Sequence, residues 1–314
     1  MKVKPWIRAL ATYMPGISSI ISKGTGGTDS ARYCYSIWLR HLVMAYNNGL
    51  LTEPKVIAEL GPGDSIGVGL AALLAGAEKY YALDIVAHAN TERNLEIFDE
   101  LTTLLKKREE IPGEAEFPLA KPYLTSYEFP NYILNDNRLS NVLNNGRIDQ
   151  IKKSIMNMDT ADSPIRYTVP WFQSDIIEKE SVDMIFSQAV LEHVEDLRGS
   201  YKLLHSWLKP NGFMSHQIDF KCHETADEWN GHWTYSDFVW KLLKGHRRYF
   251  LNRATCSMHI ELMKEAGFTI VYEKKVKSPS KLNAQNLAYQ FRDMPEDDLT
   301  TSGVFIQAKK GPRL

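Results

Sequence analysis

His216, Asp219 and His223 fall within one polar stretch, SHQIDFKCHETADEWNGHWTYSDFVWKLLKGHRRYFLNR, residues 215–253. A histidine titrates near neutrality and can take a proton from a hydroxyl, and a neighbouring carboxylate fixes its tautomer. The same stretch carries Trp229, Asn230, His232, Trp233, Tyr235 and Trp240, then Arg247, Arg248 and Arg253. Flat aromatic faces beside amides and carboxylates suit a sugar ring, and the arginines suit a phosphate or carboxylate. Taken singly, each residue has an ordinary role: a tryptophan in a core, a satisfied histidine, a solvated basic helix face. Together they read as an acceptor pocket, with His223, Trp229, Asn230, Trp233 and Arg253 as its contacts. His216 is the favoured base, and Asp219 is its orienter or a ligand of the acceptor. His193, in LEHVED, is a second base candidate or a structural residue. A metal on His216, Asp219 and His223 is the competing use of that trio. Side chains alternate along a strand, so His216 and Asp219 converge only if the strand ends near Ile218, and no metal is assigned.

A second constellation lies upstream. AELGPGD, residues 58–64, sets Glu59 before two glycines that flank Pro62, directly behind the apolar run Val56-Ile57-Ala58. Gly61 and Gly63 leave no Cβ between backbone and ligand, or else make a bare bend. Asp84 follows at the end of the next apolar run, where a carboxylate accepts both hydroxyls of an adenosine ribose. A dinucleotide fingerprint needs a third glycine where Ile66 stands, so a cofactor without a pyrophosphate fits better.

The elements that position these residues alternate. Residues 30–50 have helical spacing and stop at Asn47-Asn48-Gly49. Strand 55–60, helix 66–75 and strand 79–85 make a βαβ unit, hence a parallel pair. A charged helix spans 90–109, and helix returns at 147–158. Strands at 165–169, 182–187 and 212–220 alternate with a helix at 196–208 that stops at Lys209-Pro210-Asn211-Gly212. A helix at 255–266 and strands at 268–275 and 302–309 close the chain. The pattern predicts an α/β fold: a Rossmann-like, mostly parallel sheet with one antiparallel edge strand and helices on both faces. Residues 1–50 read as an N-terminal helical segment or lid and 51–314 as the main domain. The prolines and asparagines of 110–145 read as an insertion capping a site. With 37 basic and 38 acidic residues the formal charge is −1, which gives no global attraction for nucleic acid or an anionic membrane. Cys34, Cys222 and Cys256 form neither a disulfide framework nor a metal pair, so a reducing cytoplasm is expected. No apolar run approaches the ~20 residues of a membrane span. Residues 1–22 read as an amphipathic helix packed on the domain or lying on a membrane surface.

VIAELGPGDS, YYALDIV, SVDMIFSQAVLEHVEDL and LKPNGFMSHQIDF resemble, in order, the successive motifs of class I S-adenosylmethionine-dependent methyltransferases. The resemblance covers about 51–98 and 150–309. It implies S-adenosylmethionine as cofactor, with its methionine part wrapped by the turn of Glu59, Gly61, Pro62 and Gly63. It further implies Asp84 at the ribose, Ile85 at the adenine, and Ser187 and Gln188 at the methionyl end. Two departures stand out: Ser65 replaces a frequent third glycine, and Pro170-Trp171-Phe172 precede Asp175, leaving the adenine contact to Trp171 or Asp175. In such enzymes the segment before the first strand often closes over the cofactor. Tyr33 or Tyr35 of residues 24–40 is then expected to reach it, unless this is a fixed helix covering the sheet. The motifs and the histidine-aromatic stretch also resemble methyltransferases encoded among bacterial surface-polysaccharide genes. The expected reaction is O-methylation of a sugar or glycan-like acceptor. The alternatives are a metabolite or quinone-type phenol as acceptor, or a non-catalytic adaptor whose crevice is occluded by Trp171.

Overall fold

A computed structural model describes Trp6 and residues 27–311, apart from Asp159, Ala161, Ser174 and Arg248. The amphipathic reading of 1–22 and the role given to Arg248 therefore lie outside the described residues, Trp6 excepted. Among the described residues seven strands form one sheet: β1 (Val56–Leu60), β2 (Lys79–Leu83), β3 (Ile165–Thr168), β4 (Val182–Gln188), β5 (Leu208–Asp219), β6 (Phe268–Lys277) and β7 (Thr301–Lys310), in the order β3-β2-β1-β4-β5-β7-β6. β1 to β5 are mutually parallel, and β7 runs antiparallel between β5 and the edge strand β6. This is the expected Rossmann-like sheet, with its antiparallel strand one place in from the edge.

Alternation sorts the strand residues onto two faces. Ile57, Tyr80, Met184, Phe186 and Phe213 pack with helices α1 (Ala31–Asn47), α2 (Gly67–Leu74) and α3 (Thr91–Lys107). Ala58, Leu83, Ile185, Met214 and Ile306 pack on the other face with α6 (Leu197–Trp207) and α8 (Cys256–Glu265), while α7 (Asp237–Lys244) packs through Trp240 and Leu243 on Phe250 and Leu251.

α1 is buried almost all round, so something must cover its outer side. Residues 110–134 do so. Ile111, Phe129 and Leu134 join the core, and the short helix α4 (Asp136–Val142) and α5 (Asn145–Met156) continue that layer. Irregular backbone buried here needs donors. Arg40, 0% exposed, supplies them to the carbonyls of Pro112 (3.0 Å), Ala120 (2.9 Å) and Pro122 (2.7 Å). The insertion thus covers helices, and it reaches the strand ends through the Lys121 carbonyl, which accepts from Gln188 Nε2 at 3.1 Å.

Gly69 shows how closely α2 must approach the sheet. A Cβ there would lie 2.0–2.4 Å from ring atoms of buried Tyr80. Alanine improves an exposed helix by about 1 kcal/mol over glycine. Here overpacking reverses the sign: Gly69→Ala is expected to destabilise by roughly 3 kcal/mol in urea unfolding. An unchanged or raised midpoint would show that α2 can shift outward without cost.

Candidate active site

In an open α/β sheet, ligands bind beyond the carboxyl ends of the strands where strand order reverses. Here that point lies between β1 and β4. Gly61 ends β1 with φ +62°, and a Cβ there would lie 2.6 Å from a methyl of Val190. Two reasons therefore demand glycine: a left-handed backbone and the close pass of the segment after β4. Gly63, at φ +76°, donates its N–H to Asp84 at 3.3 Å. Asp84 also accepts from Ile85 N at 2.7 Å, so its carboxylate is aimed by the two turns that surround it. It is 7% exposed, and burial pushes its pKa up against the lowering effect of these amides.

A cavity of about 410 Å³ opens at this point. Gly61, Asp84, Ile85, Trp171 and Phe172 form one side: a carboxylate, an aliphatic side chain and two aromatic faces, the chemistry of a nucleoside slot. Trp171 lines the cavity without filling it, contrary to an occluded adaptor, and Asp175 is exposed and outside the lining. Val190, His193, Val194, Glu195 and Asp196 form the other side. These last five follow β4 directly. Only His193 had been singled out by sequence, although the switch-point rule points to this segment.

The structure places several of the expected site residues away from the cavity lining. His216 is 0% exposed and sits on the same sheet face as Met214 and Ile218. Its Nδ1 is 2.8 Å from Ser187 Oγ, itself buried on β4, and neither residue lines the cavity. Burial holds His216 neutral down to about pH 3. Period two explains the placement, since strand parity turns His216 toward the layer of α6 and α8. Glu59 is equally remote: its carboxyl accepts from the Tyr80 hydroxyl beneath α2, and burial pushes its pKa up to about 8. Pro62 is buried beneath the turn, and Gln188 is turned toward Lys121.

The proposed acceptor contacts also divide. Trp229 donates to the Pro279 carbonyl at 2.8 Å, and Asn230 donates to Ser280 Oγ at 2.8 Å and the Leu299 carbonyl at 3.0 Å. Trp233 donates to the Arg253 carbonyl at 3.0 Å, and Arg253 donates to the Tyr235 carbonyl at 2.7 Å. These four hold the 220–300 region together and do not line the cavity. His223, by contrast, is brought to His193. Their ring centroids are 5.3 Å apart, and His223 Nε2 is 3.3 Å from Asp219 Oδ2. Burial alone would raise Asp219, but His223 and Lys221 hold it below the usual carboxylate range. Among the described residues no group of three or more His, Cys, Asp or Glu side chains is placed to hold a metal.

His193 carries a neutral ring whose Nδ1 is buried. Burial, then the neighbouring His223, lowers its pKa to about 4. Its Nδ1 has no hydrogen-bond partner.

The N-terminal contact with the glycine turn differs from the expected one. Tyr35 donates to the Glu109 carbonyl at 2.6 Å, and Tyr33 packs edge-on against Phe117. Thr28 is the residue that reaches the turn, its Oγ1 accepting from Asp64 N at 2.9 Å. Nothing in the sequence singles it out.

A family profile described as a methyltransferase domain matches residues 43–273. No curated protein matches the chain by sequence. Among solved structures, a methyltransferase from Methanosarcina mazei is similar at 13% identity and TM-score 0.45, over 85% of this chain and 98% of that one. One from Mesorhizobium loti is similar at 12% identity and TM-score 0.41, over 85% and 97%. A Haemonchus contortus phosphoethanolamine N-methyltransferase, solved with S-adenosyl-L-methionine, is similar at 13% identity and TM-score 0.44, over 90% of this chain and 58% of that one. All three likenesses are remote. No helix among the described residues is long and apolar enough to cross a membrane.

Proposed function

The chain belongs to the methyltransferase-domain family and is an S-adenosylmethionine-dependent enzyme, and we propose that it methylates a hydroxyl of a sugar or glycan-like acceptor, with His193 as the base. The donor side of the cavity fits the cofactor. Asp84 would take the ribose hydroxyls, with Ile85 and Trp171 against the adenine, while Gly61 leaves the backbone bare beside them. The bound cofactor supplies an activated methyl group on a sulfonium.

The observation that carries the acceptor reading is His193. An oxygen nucleophile must lose its proton, and a neutral imidazole on the cavity wall can accept it. His223, paired with Asp219, stands beside it and is partly exposed, giving the proton a route to water. Glu195 and Asp196 lie on the same wall with one oxygen each engaged, by Lys244 and by Gly199 N, and each has a second for a hydroxyl of a polyol.

Labelled methyl groups from the cofactor should appear in cell-surface glycan fractions or nucleotide sugars when these are offered alongside small phenols. Label confined to a phenol or quinone would overturn the glycan reading.

A further inference from the structure

The segment 249–255 meets the turn that carries His193 at several points, chiefly through Asn252. Asn252 Nδ2 donates to the carbonyls of Leu191 at 2.7 Å and Val194 at 2.8 Å. Its backbone N–H donates to the Glu192 carbonyl at 2.8 Å, and its Oδ1 accepts from Ala254 N at 2.9 Å. One side chain thus brackets the 3-10 turn Leu191–His193 at both ends. The Phe250 backbone of the same segment lies close enough to the imidazole to favour its charged form.

Asn252 is in turn held from behind. Trp240 Nε1 donates to the Leu251 carbonyl at 3.1 Å and Trp233 Nε1 to the Arg253 carbonyl at 3.0 Å. The Arg253 guanidinium lies between the rings of Trp240 and Phe291, 4.9 and 5.0 Å from their centroids. The aromatic cluster that reads in sequence as an acceptor pocket is therefore the buttress of this strap.

We infer that Asn252 is a positioning residue: it fixes the Leu191–Val194 turn so that the His193 imidazole keeps its place on the cavity wall. The inference rests on the reading of His193 as base. The groups facing His193 are His223, which opposes its protonation, and Asp219, which favours it, both from the segment after β5. Tyr249 lies edge-on at 5.9 Å on the strap, and Glu192 is its own neighbour on the turn.

The test compares wild type with Asn252→Ala and the near-isosteric Asn252→Asp, which keeps the bond from Ala254 N and loses both amide donors. If Asn252→Ala fails to fold, Asn252→Asp carries the experiment. The imidazole of His193, identified by its disappearance in His193→Ala, is followed by nitrogen-15 NMR in the full chain. Loosening the turn should move its titration from near pH 4 toward 6.5. Methyl transfer to whichever fraction accepts label should fall about 10- to 100-fold. Affinity for S-adenosylhomocysteine, read by calorimetry, should be unchanged. A His193 titration and turnover unaltered in Asn252→Asp would overturn the inference while leaving the base reading intact. Full transfer by His193→Ala would remove the base reading, and the catalytic role of Asn252 with it.

Discussion

His193→Ala is expected to lower turnover by roughly 10²–10⁴-fold, the range of a lost general base, while S-adenosylhomocysteine still binds. His216→Ala should do the opposite. It empties a site that is 0% exposed and leaves Ser187 Oγ without its partner at 2.8 Å, so stability falls by about 1–3 kcal/mol while turnover per folded molecule persists. The pair of variants separates a residue that faces the cavity from one that merely sits near it in sequence. The pH profile adds a second reading. Burial and His223 lower the His193 pKa to about 4, so the neutral ring is present above that value and lost below it. The acid limb of kcat/KM should therefore fall near pH 4. A limb near 6.5 that disappears in His223→Ala would transfer the base role to His223.

Much of the scaffold was legible because it rests on local rules. The AELGPGD turn, the acid at the end of β2 and the short connections between 55 and 85 fix a parallel βαβ unit, and the structure has it. The boundaries that moved have local causes. Lys209-Pro210-Asn211-Gly212 reads as a stop, yet β5 begins at Leu208. Pro210 and Asn211 are exposed there, and the pairing with β4 shifts register between Val182 and Met184. The acceptor side was far less legible. Composition said that 215–253 is rich in chemistry but could not say which way it faces. Parity turned His216 inward, and the tryptophans, whose N–H groups need partners when buried, found carbonyls in their own region. Asn252 left no trace in sequence, since its role exists only once the strap meets the turn after β4.

Asp84→Ala is the second large effect. A carboxylate aimed by Gly63 N and Ile85 N into the cavity would accept two hydroxyls of the ribose, each bond to a charged group contributing about 1.5–3 kcal/mol. Losing both should weaken binding of S-adenosylhomocysteine by at least roughly 10²-fold in calorimetry. Asp84→Asn keeps the shape but loses the charge and one acceptor oxygen, so it should fall between wild type and alanine. The pH dependence follows from the raised pKa of Asp84, set by burial and only partly offset by the backbone amides and by His88. The carboxylate form takes the hydroxyls, so affinity is full above that pKa and declines as pH falls through it. The decline should begin at a higher pH than an ordinary aspartate would give. In Asp84→Asn this acid limb should vanish. If binding keeps the same acid limb in Asp84→Asn, or if Asp84→Ala binds as tightly as wild type, the ribose lies elsewhere. The donor slot between Trp171 and Ile85 would then have to be redrawn around another carboxylate of the cavity wall, Glu195 or Asp196.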